Sequence, residues 1–302
     1  MKIGLIGLGK MGFNLALNMK DCGHEVIAYN RTPAKTEVIE KEGIKGVYSL
    51  DSLFESLEGR QIIWMMIPAG EAIDLMIDEL LQYLRPGDIL IDGGNSFYRD
   101  SLKRYEKLKE LQIDYIDVGT SGGVEGARNG ACLMVGGEPE AVKHIDVLLQ
   151  DISTEEGYSY MGAPGSGHYV KMVHNAIEYG MMQAIGEGFE LLNASPFDLK
   201  FPDIANVWCH GSIIEGLLMK CVADAFSKDD TLDGIQGMVD ASGEGQWAVE
   251  EALRLKVSMP VTSNALFARY KSTDSIKFSE KVVAAMRNEF GGHATYKKDM
   301  EI

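Results

Sequence analysis

The chain is poor in positive charge and in cysteine, and it has no apolar run of membrane-spanning length. Its 29 Lys and Arg stand against 45 Asp and Glu, a formal net charge of −16 at pH 7, which disfavours nucleic acid and anionic membrane surfaces as partners. Any cation that holds an anionic ligand must then be placed locally. Only four cysteines occur, Cys22, Cys132, Cys209 and Cys221, and no two of them form a C-x-x-C pair. That spacing argues against a metal cluster and for reduced thiols in a cytoplasmic setting. No apolar run reaches the length of a membrane span, and residues 1–9 run straight into a strand pattern rather than a signal peptide. Neither an internal repeat nor a low-complexity segment occurs.

What is present is the composition of a soluble globular protein. With 302 residues, 45% apolar, 25% charged and 34 of them Gly, the chain is long enough for two domains and an ample core.

Residues Lys2–Leu8 read as a short buried strand that runs into Gly7-x-Gly9-x-x-Gly12, followed by Phe13–Met19 with helical character. A strand, a glycine-rich turn and a helix in that order make a pyrophosphate cradle. The glycines serve the tight turn, the closest backbone approach to the phosphates and the packing of helix on strand, with the phosphates on the helix N-terminus. Leu8, Lys10 and Met11, interleaved with these glycines, belong to the same candidate nucleotide site. A second strand, Glu25–Tyr29, follows at the expected distance. Its end normally carries an acidic residue for the ribose hydroxyls of NAD; here it carries Asn30-Arg31-Thr32. Asn30 removes the charge that would repel a 2′-phosphate, and Arg31 and Thr32 supply groups to bind one, so NADP is favoured over NAD. The alternative is a plain cationic turn before Pro33.

Further strands read at Gln61–Ile67, Asp88–Asp92, Asp114–Val118 and Leu133–Val135, with helices over Glu71–Leu84, Ser101–Leu111 and Glu140–Leu149. This alternation predicts an α/β domain with a mostly parallel, doubly wound sheet, ending near residue 161. Three strands end in residues suited to a site: Pro68-Ala69-Gly70, Asp92-Gly93-Gly94-Asn95-Ser96 and Gly119-Thr120-Ser121-Gly122-Gly123. Ligands bind beyond the carboxyl ends of such strands. From Gly162 on, the alternation stops, and helices broken by Pro196, Pro202, Gly243, Gly245 and Pro260 imply an all-helical second domain. The tail Tyr296–Ile302 reads as short, polar and mobile.

The most informative stretch is Gly162–Leu192. After its glycines, apolar residues recur at Val170, Val173, Ile177, Met181 and Ala184, which is helical spacing and the expected buried face. Lys171, His174, Asn175 and Glu178 fall at i, i+3, i+4 and i+7 and form one polar stripe about two turns long. Such a stripe is most often a solvated face. Here the next two turns (Met181, Met182, Ala184, Ile185, Gly186, Gly188, Phe189) are apolar or small nearly all round. That pattern marks an interior helix, where a polar stripe needs partners or a function.

Taken together, the chain resembles the 6-phosphogluconate dehydrogenases over nearly its whole length. The resemblance rests on GLGKMGFNLALNM at Gly7–Met19, NRT at Asn30–Thr32, DGGNSFYRD at Asp92–Asp100, GTSGGVEGARNGACLMVGG at Gly119–Gly137, GHYVKMVHNAIEYG at Gly167–Gly180, LFARY at Leu266–Tyr270 and RNEFGGH at Arg287–His293. The chain is much shorter than the long members and looks like the short bacterial form. It is similar in size to the β-hydroxyacid dehydrogenases, which its Met66–Gly70 turn also resembles.

The resemblance implies a Rossmann-like NAD(P)-binding domain over residues 1–161 and an all-helical domain for substrate and dimerisation over 162–302, in a homodimer or homotetramer. It implies oxidative decarboxylation of 6-phosphogluconate to ribulose 5-phosphate and CO₂ with reduction of NADP or NAD and no metal, in the cytoplasm, serving the pentose phosphate route or gluconate breakdown. Lys171 would take the C3 hydroxyl proton and later return it to the ketone oxygen, and Glu178 would protonate the enediol; the lysine must begin neutral, which burial favours. His174 and Asn175 would orient the substrate, with Asn95, Ser121, Gly122 and Gly123 on its carboxylate and hydroxyls. Tyr179, Arg269, Arg287 and His293 would bind its phosphate; in the long members the last signature reaches the site from a neighbouring subunit, so Arg287 and His293 would come either from the same chain or across a dimer interface. Pro68, Ala69 and Asn95 would border the cofactor.

One departure stands out. Where the long members place a Lys and a Thr before a tryptophan, this chain has Ser242 and Glu244 before Trp247. A dehydrogenase of a smaller or unphosphorylated 3-hydroxy acid is therefore an alternative, although it leaves Arg269, Arg287 and His293 unemployed. A non-catalytic dinucleotide sensor is a further alternative, for which Lys171, Asn175 and Glu178 would have no use.

Overall fold

The strands β1 (Lys2–Ile6), β2 (Glu25–Tyr29), β3 (Lys45–Val47), β4 (Ile62–Met65), β5 (Ile89–Asp92), β6 (Asp114–Ser121), β7 (Ala131–Gly136) and β8 (Ser153–Gly162) form one sheet in the order β3-β2-β1-β4-β5-β6-β7-β8. Every neighbouring pair is parallel except β6 and β7. The structure, a computed structural model, describes residues 1–296; the tail residues 297–302 lie outside the described residues. Strands β4 and β5 are buried at every position, which is why their sequences are continuous apolar runs rather than alternating ones.

Helices cover both faces. Leu15 and Met19 of α1 (Lys10–Asp21) and Leu148 and Leu149 of α8 (Asp146–Ile152) belong to one core with Leu5, Trp64, Ile91 and Val118. Ile73, Ile77 and Leu80 of α4 (Glu71–Leu80) and Leu108 of α5 (Tyr98–Glu110) belong to the other, with Ile63, Met65, Leu90 and Tyr115. The remaining helices here are α2 (Pro33–Lys41), α3 (Leu50–Glu55), α6 (Gly123–Asn129) and α7 (Pro139–His144). The strand order reverses at β1, which lies between β2 and β4. The crevice above a reversal of this kind is where doubly wound sheets bind nucleotides.

The chain divides into two compact units, Met1–Ala176 and Ile177–Ile302. The division falls inside the 28-residue helix α9 (Ser166–Asn193), whose first turns lie directly on β6 and β7. The second unit is helical throughout, with α10 (Phe201–Trp208), α11 (Leu217–Lys228), α12 (Glu244–Leu255), α13 (Pro260–Ser272) and α14 (Phe278–Gly291). Phe189, Ala205, Met219 and Phe226 centre one of its cores, and Tyr179, Ala265 and Leu266 another. Helix α14 has no buried residue. No helix among the described residues is long and apolar enough to cross a membrane.

Expectations for two helical stretches are corrected, and the strands β3 and β8 are additional to those expected. The helix expected over Glu140–Leu149 is two, α7 and α8, because the backbone leaves helical geometry at Ile145 (φ −104°, ψ 9°). β8 carries no alternating apolar pattern that would announce it; it is an edge strand held by backbone pairing to β7. The faces of α9 are the reverse of those expected. Lys171 and Asn175 are buried, at 7% and 8% exposure, whereas Ile177 and Met181 are exposed, at 56% and 52%. Periodicity identifies two stripes on a helix but not which one meets the sheet. Here the polar one does, because the helix starts against the carboxyl end of β6.

Asp92, at the end of β5, is fully buried and accepts from Ser96 Oγ (2.8 Å), Tyr115 Oη (2.9 Å), the Gly94 N–H (3.1 Å) and Arg104 Nη1 (3.3 Å). Arg104, 3% exposed, also donates to Asp74 and to the Gly70 carbonyl. Removing one partner of a buried pair strands the other charge at a cost of about 3–5 kcal/mol. Arg104→Met is therefore expected to lower unfolding free energy by roughly 3 kcal/mol in urea titration; a loss below about 1 kcal/mol would show that Asp92 does not depend on it.

Candidate active site

At the first βα turn, Gly7 has φ +104°, its N–H bonds the Tyr29 carbonyl at 2.9 Å, and a Cβ there would lie 2.4 Å from the Met66 carbonyl oxygen. A Cβ on Gly12 would lie 2.0 Å from the Gly7 carbonyl oxygen, while one on Gly9 would meet nothing within 4 Å. The outer two glycines thus let the backbone close on itself, and the middle one faces open space at the start of α1. That is the fit a pyrophosphate requires. Asn30 has a structural use at this turn: its Oδ1 accepts from the Leu8 N–H at 2.8 Å, and its Nδ2 donates to the Thr32 carbonyl at 3.1 Å. Lys10, Arg31, Thr32, Pro68 and Ala69 are exposed, and Met11 is half-buried.

Beyond β6, the first unit gathers Lys171, His174, Asn175 and Ser121. His174 Nε2 lies 3.1 Å from Ser121 Oγ, and its Nδ1 lies 3.0 Å from Asn175 Oδ1 and 3.5 Å from Lys171 Nζ. With the proton on Nδ1 given to Asn175, Nε2 accepts from the serine hydroxyl, and the ring is fixed beside the lysine. Gly122 (φ +102°) and Gly123 (φ +63°) turn the chain from β6 into α6, and Asn95 stands exposed on the loop that Asp92 holds. This arrangement offers a basic amine, a hydroxyl, an amide and an imidazole within one small volume.

The second unit holds another cluster. The Arg269 guanidinium lies 3.5 Å from the centroid of the Tyr179 ring and donates to the Asp240 carbonyl at 3.0 Å. The Tyr179 hydroxyl receives the Ser242 N–H at 3.1 Å and lies 3.3 Å from Ser242 Oγ, which donates to Glu244 Oε2 at 2.7 Å. Glu244 is 4% exposed. Glu178 sits half-buried one helical turn before Met182 on α9. Arg287 and His293 are not brought to this cluster: both are exposed at the end of α14, where Asn288 Nδ2 donates to the His293 carbonyl.

Asp92 stands in one of the strand-end segments expected at a site, whereas Arg104, Tyr115 and Asp117 were not expected there. A signal existed for two of these three: Asp117 interrupts an apolar strand, and Arg104 falls on the same helical stripe as Ser101 and Leu108, which are fully buried. Among the described residues no group of three or more His, Cys, Asp or Glu is arranged to hold a metal ion.

Comparison with known proteins places both halves of the chain. Residues 2–168 match the NAD binding domain of 6-phosphogluconate dehydrogenase, and residues 167–301 match the 6-phosphogluconate dehydrogenase C-terminal domain. A Bacillus subtilis (strain 168) protein, YqeC, named only provisionally as a 6-phosphogluconate dehydrogenase, is 48% identical over 298 residues, covering 99% of this chain and 100% of that one. The NAD(+)-dependent, decarboxylating 6-phosphogluconate dehydrogenase of Haloferax volcanii is 37% identical over 301 residues, with 99% and 100% covered. The NADP(+)-dependent, decarboxylating enzyme of Bacillus subtilis is 39% identical over 90% of this chain, which spans 61% of that longer protein. In three dimensions, the Plasmodium falciparum 6-phosphogluconate dehydrogenase, solved apo, with NADP+ and with 6-phosphogluconate, superposes with a TM-score of 0.85 at 33% identity, covering 100% of this chain and 67% of that one. The Mycobacterium tuberculosis 3-hydroxyisobutyrate dehydrogenase shares the fold, with a TM-score of 0.70 at 20% identity over 89% of this chain and 92% of that one. With both of its parts matched, the chain belongs to the 6-phosphogluconate dehydrogenase family.

Proposed function

We propose that the protein oxidatively decarboxylates 6-phosphogluconate to ribulose 5-phosphate and CO₂. The observation that carries this reading is the buried Lys171 set against His174, Asn175 and Ser121 at the carboxyl end of β6. Residues 1–161 hold the dinucleotide and 162–302 contribute the substrate-binding helices. When bound, the dinucleotide supplies the hydride acceptor. Gly7, Leu8, Gly9, Lys10, Met11 and Gly12 would hold its pyrophosphate, Pro68, Ala69 and Asn95 would border it, and Arg31 and Thr32 would take a 2′-phosphate.

Lys171 Nζ takes the proton of the substrate C3 hydroxyl as that carbon is oxidised, then returns it to the C3 oxygen as the β-keto acid loses CO₂. The enediol left behind is protonated by Glu178 at the carbon that becomes C1 of the product. The two groups are seven residues apart in the sequence, nearly two turns at about 3.6 residues per turn, a spacing that suits groups acting on adjacent carbons. Asn95, Ser121, Gly122 and Gly123 hold the carboxylate and hydroxyls, and His174 and Asn175 orient them. Tyr179 and Arg269 bind the phosphate.

Arg287 and His293 would reach that phosphate from a second copy of the chain. In support, α14 buries none of its own residues and exposes Phe278, Val283, Met286 and Phe290, a surface that suits a homodimer or homotetramer. The four cysteines are all free, in keeping with a cytoplasmic enzyme.

A second reading keeps the chemistry and changes the substrate to an unphosphorylated 3-hydroxy acid. It is favoured by one observation: the buried Glu244 carboxylate is fixed by Ser242 next to the Tyr179 hydroxyl, where a negative charge repels a phosphate. Initial rates of cofactor reduction with 6-phosphogluconate and with gluconate separate the two. We expect reduction with 6-phosphogluconate; reduction with gluconate alone would establish the second reading instead.

Two substitutions test the residue roles. Lys171→Met is expected to lower kcat by about 10²–10⁴-fold, the range for loss of a general acid–base group, with the dissociation constant of NADP unchanged in a fluorescence titration. Turnover near the wild-type rate would remove Lys171 from the reaction. Arg31→Ala should weaken NADP by roughly tenfold, the worth of one charged hydrogen bond, and NAD hardly at all. Equal loss for both cofactors would mean that Arg31 does not contact a 2′-phosphate.

A further inference from the structure

Helix α9 is fastened to the sheet at its first turn. Asp117, fully buried on β6, accepts the Gly165 N–H through Oδ1 at 2.7 Å and the His168 N–H through Oδ2 at 2.8 Å. These are donors that the start of a helix leaves without intrahelical partners, and a carboxylate there also meets the positive end of the helix. Both of its oxygens are thereby committed to the backbone just before Lys171.

Two residues along β6, and so on the same face of the strand, stands Gly119. A Cβ at this position would lie 2.4 Å from Lys171 Cβ and 3.0 Å from Lys171 Cγ. The stem of Lys171 therefore rests on bare strand backbone, at a distance that no other residue type permits.

We propose that Asp117 and Gly119 are positioning residues for Lys171: from two points on one face of β6 they set where the Lys171 amine stands beside His174 and Ser121. The assignment rests on the reading of Lys171 as the proton-transferring group. Asp117 fixes the helix along its axis through its first turn, and Gly119 fixes the depth of the side chain against the sheet. Neither residue touches a reacting atom. Their effect on the reaction is carried by geometry, and a displacement of about 1 Å at a reacting group costs on the order of 10²-fold in rate.

The test compares Asp117→Asn, Gly119→Ala and Lys171→Met with the wild type, under conditions where folding is verified by near-ultraviolet circular dichroism. Asp117→Asn keeps the size but turns one acceptor into a donor that faces a backbone N–H. Gly119→Ala leaves the carboxylate in place and pushes Lys171 directly. For each we expect kcat to fall roughly 30–100-fold, with KM for 6-phosphogluconate and the dissociation constants of NADP and NAD within about threefold of wild type. General loss of structure would instead raise the cofactor dissociation constants along with the fall in kcat, and that result would overturn the proposal. So would wild-type kcat in both variants while Lys171→Met is inactive, an outcome that leaves the role of Lys171 standing. An active Lys171→Met would bring down the underlying reading itself. If Asp117→Asn does not fold, Gly119→Ala alone decides between the same outcomes.

Discussion

Asp92 and Asp117 are register partners on the adjacent strands β5 and β6, and neither exposes any surface. Burying a carboxylate is costly unless its oxygens are fully bonded, and the two are satisfied in different ways. Asp92 is met by an arginine, a serine, a tyrosine and a backbone N–H, Asp117 by the opening turn of α9. The Tyr115 hydroxyl bonded to Asp92 stays protonated well above its ordinary range, first through burial and then through the two carboxylates. The loop bearing Asn95 and the helix bearing Lys171 are thus both hung from the sheet by buried charge. Apolar packing alone, being non-directional, would not specify either position.

Much of the fold was legible because strands buried on both faces announce themselves as apolar runs: β2 lies at Glu25–Tyr29 and β5 ends at Asp92 as the pattern put them, whereas β4 stops two residues short of the expected Ile67 and β6 runs three residues past the expected Val118. The helical second unit was legible from the absence of any strand pattern after Gly162. What stayed hidden follows from the same logic. β8 is polar and exposed at Glu155 and Glu156, so only pairing to β7 defines it. The orientation of α9 is decided by an Asp fifty residues earlier in the chain, a relation that no local periodicity encodes.

The site residues were legible in kind and only partly in place. Lys171, His174 and Asn175 share a stripe in the sequence and a hydrogen-bonded group in the structure, joined by Ser121 from a different element. Tyr179 and Arg269 meet as a stacked pair, a contact that ninety residues of separation conceal. The overall charge of −16 calls for a local cation wherever an anionic ligand binds; of the two candidates, Lys171 lies in the first unit and Arg269 in the second.

Asn30 has a structural task at the glycine turn. It stands where dinucleotide-binding domains commonly choose their cofactor, yet both ends of its amide are spent on the chain itself, one on Leu8 and one on Thr32. For anyone redesigning cofactor preference, this makes position 30 a poor handle. An aspartate there would keep an acceptor for Leu8 but lose the donor to Thr32, so the glycine turn itself would be disturbed. The neighbours Arg31 and Thr32 are exposed, and exchanging them leaves the Leu8 and Thr32 backbone bonds of Asn30 in place.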